Sequence, residues 1–488
     1  MAMEMRNKGR EMFVESIIWE LGGWGIRLGM IPIIGMRKDN PTTSLAWVAI
    51  IFITPWIGLL LYLLLEEHGL SRPRLSRRIK KHINFHLANT RFRACPNRKN
   101  CQIDPDYQPL VYLAEKHGGL PLLGGNSIGL ISDVTEFIDL LVADIAQSRS
   151  HVHLLFYIFR DDATGLKVAR ALAEAVRRGV VCRVLADDVG SRGLFSGLGQ
   201  WMTEQGVRVE AALPSNPLRM KLARVDIRNH RKLVVIDGQV GYAGSQNIVE
   251  PEYGHKKAGQ WHDIMVRIKG PTVSQLQSVF VEDWFYETQE LLESPDLYPA
   301  SISEGPAAVQ MVPTGLDKQA GSFQDLIIHA INTARHCVSV VSPYFIPDDG
   351  LITALRLAAT ARNVEVNIIV PHRSDHFLVD RASAYYCGAV MQGGANVYLF
   401  QEGMLHTKII TIDQAMAIVG SANFDIRSFY LNMELVSIIF DSGFNSRLSQ
   451  VLDRYKQQSV QVDPGTWFQR PLYKRAAEGM VKIFSPLL

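Results

Sequence analysis

Two segments of this 488-residue chain carry one pattern: His230-Arg231-Lys232-Leu233-Val234-Val235-Ile236-Asp237 and His406-Thr407-Lys408-Ile409-Ile410-Thr411-Ile412-Asp413. Both read H-x-K-x4-D. Each is followed by Gly-Ser-x-Asn, with the serine fifteen residues after the histidine: Gly244-Ser245-Gln246-Asn247 and Gly420-Ser421-Ala422-Asn423. One such motif arises by chance in a β-rich chain, but two with matching downstream Ser and Asn at one spacing mark a duplicated site. In an extended strand alternate side chains share a face, so each His and Lys project together while the apolar residues behind them hold the strand in a sheet.

The repeat extends beyond the motifs. The apolar runs Val152 to Asp162 and Val338 to Asp349 each end in paired aspartates and are followed by Gly-Leu, at Gly165-Leu166 and Gly350-Leu351. Helical patterns at about 167–178 and 352–362 lead into further β-branched runs, Val180 to Leu185 and Val364 to Val370. Strand, helix, strand is a βαβ unit, so the fold class is α/β. Two similar α/β domains are expected, over 118–300 and 301–488, because proline, glycine and serine interrupt the periodicity between 293 and 321.

The N-terminal part is of another kind. Leu45 to Leu65 holds no charged residue and is long enough for a transmembrane helix, with Pro55 and Gly58 tolerated inside it and Trp47, Trp56 and Tyr62 as interfacial anchors. The stretch 13–36 is apolar but carries Glu15, Glu20 and Arg27. It either crosses as the first arm of a hairpin or lies in the interface with Trp19 and Trp24 at headgroup level. A membrane segment is therefore expected over 1–70, followed by a basic juxtamembrane linker over 71–117. The linker holds Arg72, Arg74, Arg77, Arg78, Lys80 and Lys81, then Arg91, Arg93, Arg98 and Lys99. Under the positive-inside rule this places the remainder in the cytoplasm. The net charge of +3 is too small to name a partner, but its concentration beside an apolar segment points to anionic lipid and the bilayer, not to nucleic acid. Five scattered cysteines form neither a disulfide framework nor a C-x-x-C metal site.

Two histidines, two lysines and two asparagines converging on one point would neutralise and orient a phosphate without a metal or other cofactor. One imidazole can attack phosphorus while the other protonates the departing oxygen. Ser245, Asn247, Ser421 and Asn423 are candidate phosphate-binding residues beside catalytic His230, Lys232, His406 and Lys408. A nucleophilic imidazole needs a carboxylate on its other nitrogen. Asp263 and Glu434 follow their motif histidines at comparable distances and are expected to orient them. Asp237 and Asp413 end apolar runs at turns and are read as structural.

These motifs resemble the phospholipase D superfamily. The runs Tyr157 to Asp162, Ser342 to Phe345, Gly420 to Phe429 and Leu431 to Glu434, with the N-terminal segment, resemble more closely its bacterial cardiolipin synthases. The resemblance covers nearly the whole chain. It implies two phospholipase D-type α/β sandwich domains forming a pseudo-twofold catalytic unit on a helical membrane anchor of the bacterial inner membrane. It also implies transfer of a phosphatidyl group from one phosphatidylglycerol to another through a phosphohistidine at His230, with His406 as acid and then base. Attack by the second histidine, hydrolysis by water, phosphatidylethanolamine as donor and another alcohol as acceptor stay open at this level, as does the oligomeric state.

Overall fold

The computed structural model describes residues 2–37, 41–66, 101, 103–215, 227–253, 259–300, 302–315, 321–483 and 485; of 2–18, 37, 41–43, 64–66 and 483 only the backbone is described. Two compact units result, one within Met1–Leu75 and a larger one that holds both motifs. The basic stretch at 71–100, with Cys95, lies outside the described residues.

The N-terminal unit consists of α1 (Ala2–Arg37), α2 (Pro41–Ile53) and α3 (Pro55–Glu66). A small cluster of Met30, Ile34, Ile51 and Tyr62 holds them together. The single transmembrane helix expected over 45–65 is not formed. Proline lacks the N–H that a continuous helix needs and disfavours helical geometry in the residue before it, so the run breaks at Thr54 between α2 and α3. Among the described residues no helix is long and apolar enough to cross a membrane.

In the larger unit the first half supplies β1 (Leu123–Ile131), β2 (His151–Phe156), β3 (Val181–Asp187), β4 (Arg208–Ala212), β5 (Leu233–Ile236), β6 (Val240–Gly244), β7 (Trp261–His262) and β8 (Met265–Lys269). The second half supplies β9 (Ala307–Pro313), β10 (Cys337–Val341), β11 (Phe345–Ile346), β12 (Glu365–Pro371), β13 (Asn396–Phe400) and β14 (Met404–Leu405). It continues with β15 (Ile409–Ile412), β16 (Met416–Gly420), β17 (Phe424–Asp425), β18 (Leu435–Phe440) and β19 (Ser459–Gln461). Fifteen of these lie in one mixed sheet, ordered β19-β13-β12-β10-β15-β16-β18-β9-β1-β8-β6-β5-β2-β3-β4. The order reads almost alike outward from the β1/β9 pair, which is the repeat seen in three dimensions. Because β9 pairs with both β1 and β18, the halves share one sheet. Its apolar side chains merge accordingly: Leu233 and Val235 of one half pack in the same cluster as Ala417, Val419 and Leu435 of the other. Burying a side chain of this size contributes about 1.5–3 kcal/mol.

The repeated aspartates have local work. Asp162 and Asp348 cap the helices Ala163–Arg177 and Asp349–Arg362, accepting from Gly165 N at 2.8 Å and Leu351 N at 3.0 Å. Asp237 and Asp413 sit at φ 53° in the hairpin turns β5–β6 and β15–β16, where the next residue is also left-handed, Gly238 at 63° and Gln414 at 54°. From there each carboxylate accepts three backbone N–H groups at the start of the neighbouring antiparallel strand, β2 or β10. Asp237 takes Arg149, Ser150 and His151 at 2.8–2.9 Å; Asp413 takes Arg335, His336 and Cys337 at 2.7–2.8 Å. They anchor the hairpin that carries each H-x-K motif.

Replacing Asp413 by Asn keeps a residue that tolerates positive φ but removes the charge from three hydrogen bonds. Thermal unfolding of the D413N protein is expected to show a loss of roughly 2 kcal/mol, with turnover per folded molecule retained; abolished turnover in a fully folded variant would give this aspartate a chemical role instead.

Candidate active site

Each motif histidine lies just before a central strand, His230 ahead of β5 and His406 ahead of β15. Its backbone is tied to the opposite half. His230 N donates to Met433 O at 2.8 Å, and His406 N donates to His262 O at 2.9 Å. Met433 and His262 are the residues immediately before Glu434 and Asp263. Two short parallel pairings, Asn229 with Met433 and β7 with β14, make the same link.

These links decide which carboxylate reaches which imidazole. Glu434 accepts from His230 Nδ1 at 3.0 and 3.1 Å, and Asp263 accepts from His406 Nδ1 at 2.7 Å. Each carboxylate therefore serves the histidine of the other half, not the one it follows in sequence. A carboxylate is an acceptor only, so Nδ1 carries the proton and Nε2 keeps its lone pair. Ser245 Oγ donates to Asp263 Oδ1 at 2.6 Å and Ser421 Oγ to Glu434 Oε2 at 2.6 Å. These serines, read from sequence as phosphate ligands, support the carboxylates. The glycines before them permit this: a Cβ on Gly244 or Gly420 would stand 2.3 Å from the carbonyl oxygen of Ile264 or Leu435.

Lys232 and Lys408 are buried, each donating its Nζ to the carbonyl of its own motif histidine, His230 at 2.8 Å in the first half. Asn247 Oδ1 accepts from Ile158 N at 3.1 Å, while Asn423 Oδ1 is buried without a partner among the described residues. Tyr157 sets its ring edge-on to His230 with centroids 4.8 Å apart, and Trp261 lies 4.8 Å from His406.

Burial dominates the electrostatics. It pulls His230 down to about 4, against the opposing pull of Glu434, and lowers His406 against Asp263. Burial also takes Lys232 down to about 7 and Lys408 to about 8, although Glu434 and Asp263 act the other way. For Asp263 burial pushes upward but the His406 and Lys408 charges win, leaving it at about 2; Glu434 is likewise held low. Lys408 acts on His230 and Lys232 on His406, so the two halves form a single electrostatic site.

Two further supports of the site are not evident from the motifs. Arg231, the variable position of the first motif, is buried. It donates from Nη1 to both Asp283 oxygens at 2.6 and 2.8 Å, from Nη2 to Thr314 O at 2.8 Å and from Nε to Glu434 O at 3.1 Å. In the second half the matching Thr407 makes, among the described residues, a hydroxyl contact to Tyr455 at 3.2 Å and one to His262 O. Ser428 adds a further donor to Glu434 Oε1 at 3.0 Å. Charge at the x position of H-x-K was the available signal for Arg231; Ser428 had none.

A family profile described as "Cardiolipin synthase, PLD-like domain" matches residues 141–284 and 327–456, and one described as "Phospholipase_D-nuclease N-terminal" matches 28–66. Cardiolipin synthase A of Edwardsiella ictaluri is 33% identical over 93% of this chain and 94% of its own length. Cardiolipin synthase A of Klebsiella pneumoniae is 33% identical over 96% and 97%. Among solved structures, phosphatidylserine synthase of Haemophilus influenzae superposes with a TM-score of 0.58 at 14% identity, covering 78% of this chain and all of that one, a likeness of fold.

The lysines give a stability test. With folded-state values near 7 and 8 against about 10.5 when unfolded, the fold binds fewer protons than the unfolded chain between those limits. The penalty is fully present below the folded values and vanishes as pH rises past 10.5. The lysine contribution is isolated by comparing variants: Lys232→Met should raise the melting temperature over the parent most at pH 7 and by less as pH approaches 10, while turnover is lost. A K232M protein less stable than its parent at pH 7 contradicts the assignment.

Proposed function

Because the chain belongs to the cardiolipin synthase family of phospholipase D-like proteins, we propose that it is a phosphatidyltransferase that joins two phosphatidylglycerol molecules into cardiolipin and glycerol. The observation that carries this reading is the exchanged pairing of two imidazoles with two carboxylates around two buried lysines. It provides a nucleophile, an acid and charge stabilisation in one site.

In the mechanism His230 Nε2 attacks the phosphorus of the first lipid, and protonated His406 gives its Nε2 proton to the departing glycerol oxygen. The P–O bond to glycerol breaks as the P–N bond to His230 forms. Neutral His406 then takes the proton from the terminal hydroxyl of the second lipid, whose oxygen displaces His230. The geometry favours this division of labour. Glu434 is shared among His230, Ser421 and Ser428, which weakens its pull on the imidazole proton and leaves His230 the neutral nucleophile. Asp263 makes a shorter bond to His406 and has fewer competing donors, which opposes the lowering by burial and favours an imidazolium there more than at His230, with the bound phosphate anion adding to that pull. Lys232, Lys408, Asn247 and Asn423 are proposed to hold the phosphate oxygens, whose negative charge would draw the lysines back towards their protonated form.

Apolar surface on the N-terminal unit, including Leu28, Ile53, Ile57 and Leu60, supports attachment to the bacterial inner membrane. There the acceptor hydroxyl is concentrated and water is scarce. The basic residues from Arg72 to Lys99 favour a cytoplasmic location for the catalytic unit.

Incubated with phosphatidylglycerol liposomes, the purified enzyme is expected to yield cardiolipin and free glycerol on chromatography. Phosphatidic acid as sole product would make it a hydrolase. Glu434→Gln, which preserves shape but removes the charge that fixes the His230 tautomer, should lower kcat by roughly 10²–10⁴; a loss below tenfold would remove Glu434 from the mechanism.

A further inference from the structure

The N-terminal unit contains a groove that an anchor alone does not explain. It is open, with a volume of about 500 Å³, and is lined by Trp19, Glu20, Trp24, Arg27 and Trp56 beside the break between α2 and α3. Trp19 and Trp56 stack across α1 and α3 with centroids 4.6 Å apart. Close approach there depends on Gly22, where a Cβ would meet the Trp56 ring at 2.9 Å.

Among the described residues both charges in the groove have bonding capacity left. Arg27 donates from Nε to Phe52 O at 3.0 Å and lies against the Trp24 ring at 5.1 Å; among the described residues its remaining N–H groups have no acceptor. Glu20 stands seven positions earlier, about two helical turns away on the same face of α1. Around them Trp19, Leu28, Ile53, Ile57 and Leu60 expose apolar surface, so the natural surrounding is hydrocarbon, in which unpaired charges are costly. The groove thus presents a guanidinium, a carboxylate and indole faces within an apolar surface and is neutral overall. An occupant that matches it carries one anion and one cation on an apolar body.

We propose that this groove binds a single zwitterionic phospholipid headgroup. The phosphate accepts from Arg27, and the ammonium lies between Glu20 and the tryptophan faces, where carboxylate and π-surface both favour a cation. The site is separate from the phosphoryl-transfer centre and acts as a lipid-reading element in the anchor. The inference rests on the membrane attachment proposed above and not on the reaction.

The test uses the full-length H230A protein in neutral detergent, so that no lipid is consumed. Native mass spectrometry follows titration with phosphatidylethanolamine, phosphatidylglycerol or inorganic phosphate, and the groove is read as the adduct lost in R27Q. Phosphatidylethanolamine is expected to form that adduct in preference to phosphatidylglycerol, and both R27Q and E20Q should weaken it by about tenfold. E20Q alone should improve phosphatidylglycerol binding, because the repelling carboxylate is gone while the Arg27–Phe52 bond is kept. The proposal is overturned if R27Q and E20Q bind phosphatidylethanolamine like the parent, if phosphatidylglycerol is the preferred ligand of the Arg27-dependent adduct, or if inorganic phosphate displaces the lipid. Since no turnover is measured, an enzyme that proved not to make cardiolipin would leave this result intact.

Discussion

The exchange of carboxylates between the two halves is the interaction on which the active site depends. Neither half is complete alone: His230 takes its partner from Glu434 and His406 from Asp263. Two backbone hydrogen bonds enforce it, His230 N to Met433 O and His406 N to His262 O. The shared sheet fixes the relative position of these segments, since β9 joins the halves through a bulged pairing with β1 and a continuous ladder with β18. Duplication of a βαβ unit thereby becomes one site with two differentiated imidazoles.

Differentiation follows from small departures from the repeat. Arg231, with its ion pair to Asp283 and its bonds to two carbonyls, stiffens the segment that bears Glu434, whereas Thr407 makes weaker hydroxyl contacts at the equivalent place. Burying two lysines and two histidines at one point is unfavourable for the free protein. In the proposed reaction a phosphodiester anion would relieve that strain, so that the cost taken in folding would reappear as affinity for charge on the reacting phosphate. The fully buried core shared by both halves offsets it.

Much of this was legible in the sequence because strand periodicity and exact repetition are local signals. The two H-x-K-x4-D runs became β5 and β15, and the helices expected near 167–178 and 352–362 formed as Ala163–Arg177 and Asp349–Arg362. The crossing of Asp263 and Glu434 was not legible, because it is set by the two-residue strands β7 and β14 and by the isolated Asn229–Met433 bridge, too short to leave a pattern, and pairs residues 143 and 204 positions apart. The serines of Gly-Ser-x-Asn were assigned to phosphate on spacing alone, while their hydroxyls turn to the carboxylates. In the apolar run at 45–65, Pro55 was visible, but its power to end the helix at Ile53 was underweighted against hydropathy.

The central claim is that His230 forms the covalent bond while His406 moves the proton. Rapid quenching of the enzyme with phosphatidylglycerol at alkaline pH, followed by peptide mapping, tests it directly. A phosphatidyl adduct on the His230 peptide is expected, accumulating when acceptor lipid is diluted out. An adduct on the His406 peptide, or turnover with no adduct on either histidine, would contradict it.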